Sequence, residues 1–189
     1  MYDESMRMPF VVRYPKLIKA GSTNDDLINN TDFAPTMLEL AGTRAPAAMQ
    51  GRSFVDALAG KPLENWRTAT YYRYWMHLMH HDNPAHFGVR TKDFKLIFYY
   101  GQAESEATHG KPSMPWKKNS FLIEPTPPAW EFYDLRTDPH ENRNEYANPK
   151  YAATITELKT QLKRLRDELE ETDQSRPHIQ QVIDANWGL

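Results

Sequence analysis

The strongest pattern in the chain is near its C-terminal end. Ile155, Leu158, Leu162, Leu165 and Leu169 recur at spacings of 3, 4, 3 and 4, with Lys, Arg, Glu and Gln filling the positions between them. That is one apolar stripe on an otherwise polar helix. Asn148 is placed to cap it and Pro149 fits the first helical position, so the pattern predicts a helix over 149–171. The stripe is too short for a free coiled coil and predicts packing on a sheet. Residues 174–189 are largely polar, with Ile179, Val182, Ile183 and Trp187 as a candidate docking face.

Upstream the period changes from helical to alternating. RTATYYRYW (67–75) and HFGVRTKDFKLIFYY (86–100) are rich in aromatic and β-branched residues, as half-buried strands are. Alternation puts Arg73 and Trp75 on one face of the first strand and Tyr72 and Tyr74 on the other. Val89–Thr91, the polar pair Lys92–Asp93 and Phe94–Ile97 read as a hairpin. AWEFYDL (129–135) is a further strand, and 101–128 a long loop bearing Pro and Lys.

The first 62 residues read as αβ material. Phe10–Tyr14 resembles an inner strand of a parallel sheet that Pro15 ends, followed by a polar loop from Gly21 to Asp26. In NNTDFAPTMLELAG (29–42), Asn30, Thr31 and Asp32 are candidate caps. Phe33, Met37, Leu38, Leu40 and Ala41 give the apolar face, and Gly42 the stop. MQGRSFVDALAGK (49–61) repeats this, with Ser53 as cap, Leu58 inward and Gly60 as stop. An inner strand without a partner leaves unpaired amides on both sides. Residues 1–62 are therefore expected to pair with another chain or to pack differently.

Composition narrows the function classes. With 40% hydrophobic and 25% charged residues the chain is not broadly disordered, and a net charge of -2 gives no nucleic-acid footprint. The absence of cysteine excludes disulfides, thiolate metal sites and a cysteine nucleophile within these residues. No apolar run reaches the length of a membrane span, and no charged start followed by an apolar core marks a signal peptide.

Five segments, MYDESMRMPFVVRYP, NTDFAPTMLELAG, MQGRSF, AHFGVRTKDFKLIFYY and WEFYDLRTDPHENRNEYANP, stand in the order expected of a type I, formylglycine-dependent sulfatase. Over roughly residues 1–170 the chain resembles the bacterial branch acting on sulfated polysaccharides and glycosaminoglycan fragments. The resemblance implies an α+β fold. Residues 1–62 would be the C-terminal remnant of an alkaline phosphatase-like α/β domain, its last strand and helices. Residues 63–189 would be a small antiparallel-sheet subdomain with a packed C-terminal helix.

In that family the nucleophile is a formylglycine made from a Cys/Ser-x-Pro-x-Arg sequence, and calcium stabilises the sulfate oxygens. Neither is expected in this chain. Ser113-Met114-Pro115-Trp116-Lys117 comes nearest but has Lys in place of Arg, and is read as coincidence. The family's metal-binding carboxylates and sulfate-contacting lysine belong upstream of Met1. The chain thus reads as the C-terminal portion of a sulfatase, from truncation, a later start codon or a split gene. Alone it is expected to be inactive. The alternative is a non-catalytic carbohydrate-binding or assembly module, self-associating through residues 1–62. Full-length relatives are exported, whereas this chain carries no signal of its own.

The resemblance leaves leaving-group recognition as what these residues contribute, with a sulfated oligosaccharide as the partner of the full enzyme. His86, in AHFGVRT, stands where the family places a histidine at the mouth of the pocket, to bind sugar or assist the departing oxygen. The plain reading is a histidine fixing the strand entry. Arg73, Tyr74 and His77 come next, against a plain reading of sheet packing. His77, His80 and His81 invite a metal, but only Asp82 stands near, and a polar loop reads better. Asp3 and Glu4 are expected to pair with Arg7. In DLRTDPHENRN (134–144), Asp134 and Asp138 start Asx turns and Asn142 and Asn144 stitch the loop. A calcium loop there would lack its glycine.

Overall fold

The structure is a computed structural model that describes residues 1–79, 81–113 and 122–188. It divides into two compact units. One joins Met1–Arg7 to Tyr71–Leu189, and the other is Met8–Thr70. The division is drawn differently from the sequence boundary at 62/63, because residues 1–7 bond to the sheet of the later segment.

The first unit is built on four strands, β1 (Ala69–Tyr74), β2 (His86–Thr91), β3 (Phe94–Tyr99) and β4 (Ala129–Asp134), in spatial order β1-β2-β3-β4. β2 and β4 both run antiparallel to β3. The Lys92–Asp93 turn is closed by Thr91, whose hydroxyl oxygen accepts the Phe94 N–H at 2.9 Å. Register sorts the side chains into two layers. Phe87, Phe98 and Trp130 lie side by side on one face, as do Val89, Leu96 and Phe132. Arg90, Lys95 and Tyr133 share the opposite face with Gly88, Ile97 and Glu131.

The apolar face carries α4 (Ala152–Glu168) and α5 (Pro177–Asn186), which bury Ile155, Leu158 and Leu162 from the first and Ile179 and Ile183 from the second. The predicted start is as expected. The Asn148 side chain accepts the Lys150 N–H at 3.1 Å, and Pro149–Tyr151 forms a 3-10 turn leading into α4. The helix ends in a Schellman pair, Glu171 N–H to Arg166 O and Glu170 N–H to Asp167 O, with Glu170 at φ 54°.

The opposite face is covered by the first residues of the chain, including the single turn α1 (Asp3–Met6). Met1 is buried against Ile97 and Tyr133. Gly88 makes room for it: a Cβ there would lie 2.6 Å from Met1 Sδ and 2.4 Å from the Leu96 carbonyl oxygen.

The second unit holds a 3-10 turn (Asn30–Asp32), α2 (Phe33–Leu40) and α3 (Val55–Leu58). The strand expected over Phe10–Tyr14 is not formed. Among the described residues no neighbour offers this run a ladder, and the Phe10 ring instead stacks on Phe33 at 5.0 Å and meets Phe54 edge-on at 5.9 Å. The apolar face expected of α2 also differs. Pro35 and Thr36 are buried with Asp32, while Met37 is 61% exposed. Asp32 is the organising group. It accepts main-chain N–H bonds from Asn29 (2.7 Å) and Arg52 (2.8 Å) and pairs with Arg67 Nη2 at 2.7 Å. A buried carboxylate so fully satisfied turns the helix around itself. Gly42 (φ 73°) and Gly60 (φ 75°) end α2 and α3 as predicted. Phe54, rather than Leu58, is the fully buried residue of the second segment.

Candidate functional site

His86 opens β2 on the face covered by residues 1–7, inside a shelf of tyrosines. Its ring stacks on Tyr74 (5.4 Å between centroids, 22° between planes), with Tyr99 at 4.9 Å and Tyr72 at 6.0 Å. Pro84 O lies 2.8 Å from Nδ1 and can only accept, so Nδ1 carries the proton. Nε2 is left with its lone pair facing the main-chain nitrogen of Met1 at 3.3 Å. Burial lowers the His86 pKa to about 4. The imidazole is neutral at pH 7. Beside it, Glu131 accepts hydrogen bonds from the hydroxyls of Tyr2 (2.9 Å) and Tyr99 (3.2 Å), which holds the shelf together. Tyr72 and Tyr74 are partly open to solvent, whereas His86 is buried.

A four-charge clamp fixes the segment that faces His86. The Asp3 carboxylate receives Arg90 through Nε (3.0 Å) and Nη2 (2.8 Å) and Lys95 Nζ at 2.8 Å. Glu141 closes the circuit, with Oε2 accepting the Asp3 N–H at 2.5 Å and Oε1 lying 2.5 Å from Lys95 Nζ. Burial alone would raise the Asp3 pKa, but the bonds from Arg90 and Lys95 outweigh it and hold the carboxyl well below its usual range. The expected pairing with Arg7 is therefore replaced by partners on β2 and β3. Glu4 faces His140 at 3.7 Å on the exposed side. The sequence offers no signal for this clamp beyond a lysine in the middle of an apolar strand.

Arg73 and His77 stand elsewhere. Arg73 lies on the opposite face of β1, 3% exposed, paired with Asp173 (2.7 Å) and Glu171 (3.2 Å), its guanidinium 3.4 Å from the Trp75 ring centroid. His77 is buried after β1, with Nδ1 accepting the Ala85 N–H (3.0 Å) and Nε2 donating to Glu124 O (2.9 Å). Both are fully engaged by the protein, so the structure brings together His86 and Tyr74 of the predicted set and not the other two. His80, and residues 114–117 of the Ser113 pentapeptide, lie outside the described residues. In the 134–144 loop, Asp134 binds Arg136 at 2.7 Å, and Asn144 spans the Phe132 N–H and the Trp130 carbonyl, both at 3.0 Å. Among the described residues no three His, Cys, Asp or Glu side chains converge as a metal requires.

A family model for the C-terminal region of N-sulphoglucosamine sulphohydrolase matches residues 1–125. The chain belongs to this sulfatase family. It is 36% identical over 175 residues to an N-acetylglucosamine-6-O-sulfatase of Bacteroides thetaiotaomicron, covering 92% of this chain and 27% of that protein. An ulvan-active sulfatase of Formosa agariphila is 33% identical over 164 residues, covering 82% and 32%. Among solved structures, BT4656 in complex with its substrate D-glucosamine-2-N,6-O-disulfate superposes with a TM-score of 0.69 at 34% identity, covering 87% of this chain and 29% of that one. The sulfatase relatives named here are thus three to four times longer than the region they share with this chain. The shared region is the C-terminal part of an alkaline phosphatase-like sulfatase, with its four-stranded sheet and C-terminal helix.

Proposed function

We propose that this chain supplies the sugar-facing side of a carbohydrate sulfatase, an enzyme hydrolysing sulfate esters, with Tyr74 and His86 on the leaving-group side. The saccharide substrates named for the relatives support the class of ligand. One observation carries the reading: the stacked Tyr74–His86 pair is partly open at Tyr74 and closed beneath. An aromatic face packs against the C–H face of a sugar ring, and phenol edges meet its hydroxyls. A histidine with so low a pKa holds no proton to donate at pH 7. His86, buried with Nε2 turned to the Met1 nitrogen, therefore acts as a fixed floor beneath Tyr74, and not as the acid for the departing oxygen.

The 189 residues contain no cysteine and no Ser-x-Pro-x-Arg sequence. In the family, formylglycine and calcium supply the attack and the stabilisation of sulfate oxygens, so this chain alone is expected to release no sulfate. Calorimetric titration with D-glucosamine-2-N,6-O-disulfate, alongside a sulfate-release assay with calcium, tests both halves. Saturable binding weakened about tenfold by Tyr74→Ala, roughly 1.4 kcal/mol, is expected without turnover. Turnover by this chain, or binding indifferent to Tyr74, would overturn the reading.

A second reading, assembly, is favoured by the apolar run at the start of the second unit, where Phe10 is 51% and Val11 91% exposed. Light scattering should then show a self-associating species that Val11→Asp returns to monomer. A monomeric parent protein would dismiss it.

A further inference from the structure

A groove of about 390 Å³ runs between α4 and α5, on the sheet face opposite His86. Its lining takes Lys163 and Asp167 from α4 and Gln180 and Asp184 from α5. Ile183, which is buried, and Trp187 also line it. That indole is held firmly, tilted 30° against Phe87 at 6.4 Å and edge-on to Trp130 at 5.3 Å. Gln180 donates to Asp184 at 2.7 Å, which presents the amide and carboxylate as one fork.

The charges decide what fits. Arg166 also borders the groove, but Asp173 meets its guanidinium at 2.5 Å and the Glu171 carbonyl accepts its Nε–H at 3.2 Å. Among the remaining lining charges Lys163 is outnumbered by Asp167 and Asp184, so the walls offer no surplus positive charge to an anion. A volume at the small end of ligand sites, a rigid aromatic wall and a rim of amide, carboxylate and ammonium groups match a neutral polyhydroxylated ring. We propose that this groove binds an unsulfated sugar residue of a saccharide chain, as a contact separate from the Tyr74–His86 shelf. The inference rests on the carbohydrate reading only for the ligand class.

Amide and indole NMR shifts of the whole chain, titrated with N-acetylglucosamine and with cellobiose, test it. The expected result is saturable movement of the Gln180 side-chain amide and the Trp187 indole, with Kd about 1–10 mM. Gln180→Ala, a change on the groove rim, should weaken it about fivefold, while Tyr74→Ala leaves it unchanged. No saturable movement at either group, or tighter binding of D-glucosamine-2-N,6-O-disulfate there than of the neutral sugars, would overturn the proposal. A silent groove beside Tyr74-dependent binding removes this inference alone. Groove binding beside binding of D-glucosamine-2-N,6-O-disulfate that is indifferent to Tyr74→Ala removes the other alone.

Discussion

Lys95 Nζ and Glu141 Oε1 lie 2.5 Å apart with both side chains sealed from solvent. The pair stands between the sheet and the loop after β4, and Asp3 completes it. Removing one partner strands a buried charge, which costs more than the intact pair contributes. Lys95→Met is expected to destabilise the protein by about 3–5 kcal/mol in urea unfolding. Lys95→Met with Glu141→Leu should recover part of that loss. A single variant within 1 kcal/mol of the parent, roughly the error of surface changes, would show that the clamp carries little.

Gly88→Ala asks whether the first residues need that missing side chain. The added Cβ meets the main-chain Leu96 oxygen at 2.4 Å, which cannot yield as the Met1 side chain can. We expect a loss of about 1–3 kcal/mol. Hydrogen exchange at Ser5, Met6 and Arg7, whose amides bond within this first turn, should quicken more than in α4. Unchanged protection there would dissociate Gly88 from the docking of residues 1–7.

The end of α4 offers the opposite outcome. Glu170 holds a left-handed backbone that glycine adopts without strain, and among the described residues its side chain makes no hydrogen bond or ion pair. Glu170→Gly should raise stability by about 0.5–1 kcal/mol, read as a shift in urea midpoint at constant slope.

Acidification should weaken the fold in a window set by His86. Its pKa is about 4 when folded against 6.5 for the free group, so between those values the unfolded chain binds more protons. Stability then rises with pH across that window and falls as pH drops through it, by up to about 3 kcal/mol. Asp3 and Asp134 act only below their ordinary carboxylate range. His86→Gln should flatten the slope between pH 4 and 6.5, measured by urea midpoints. An unchanged slope would assign the dependence to other groups.

The sheet and its helix were legible because each obeys a local period. The alternation in 67–75 separates Arg73 from Tyr72 and Tyr74 as the strands do, and Ile155, Leu158 and Leu162 of the α4 stripe are buried as their spacing requires, while in the last turn Arg166 is buried and Leu165 only half-buried. The clamp was not legible, since Asp3 meets Arg90, Lys95 and Glu141 across 87 to 138 residues of chain. Charge next to charge in MYDESMR points to Arg7, and only the tertiary fold redirects it. The Phe10 run failed for a related reason. A β-rich stretch becomes a strand when a neighbour supplies its hydrogen bonds, and here a phenylalanine cluster captured it instead. The Tyr74–His86 shelf was half legible: composition marked the rings, and register alone decided which of them meet.

The bond from the Asp3 amide to Glu141 spans 138 residues, and this has a consequence for synthesis. At typical translation speeds of about 5–20 residues per second, the first turn waits roughly 7–28 s after leaving the ribosome before its acceptor exists. Until then the cover of one face of the sheet lacks its Glu141 anchor, and Lys95 lacks one of its two carboxylates. Ribosome-bound nascent chains should therefore keep that face accessible to chaperones until the loop after β4 has emerged. The opening residues of this chain are among the last to find their place.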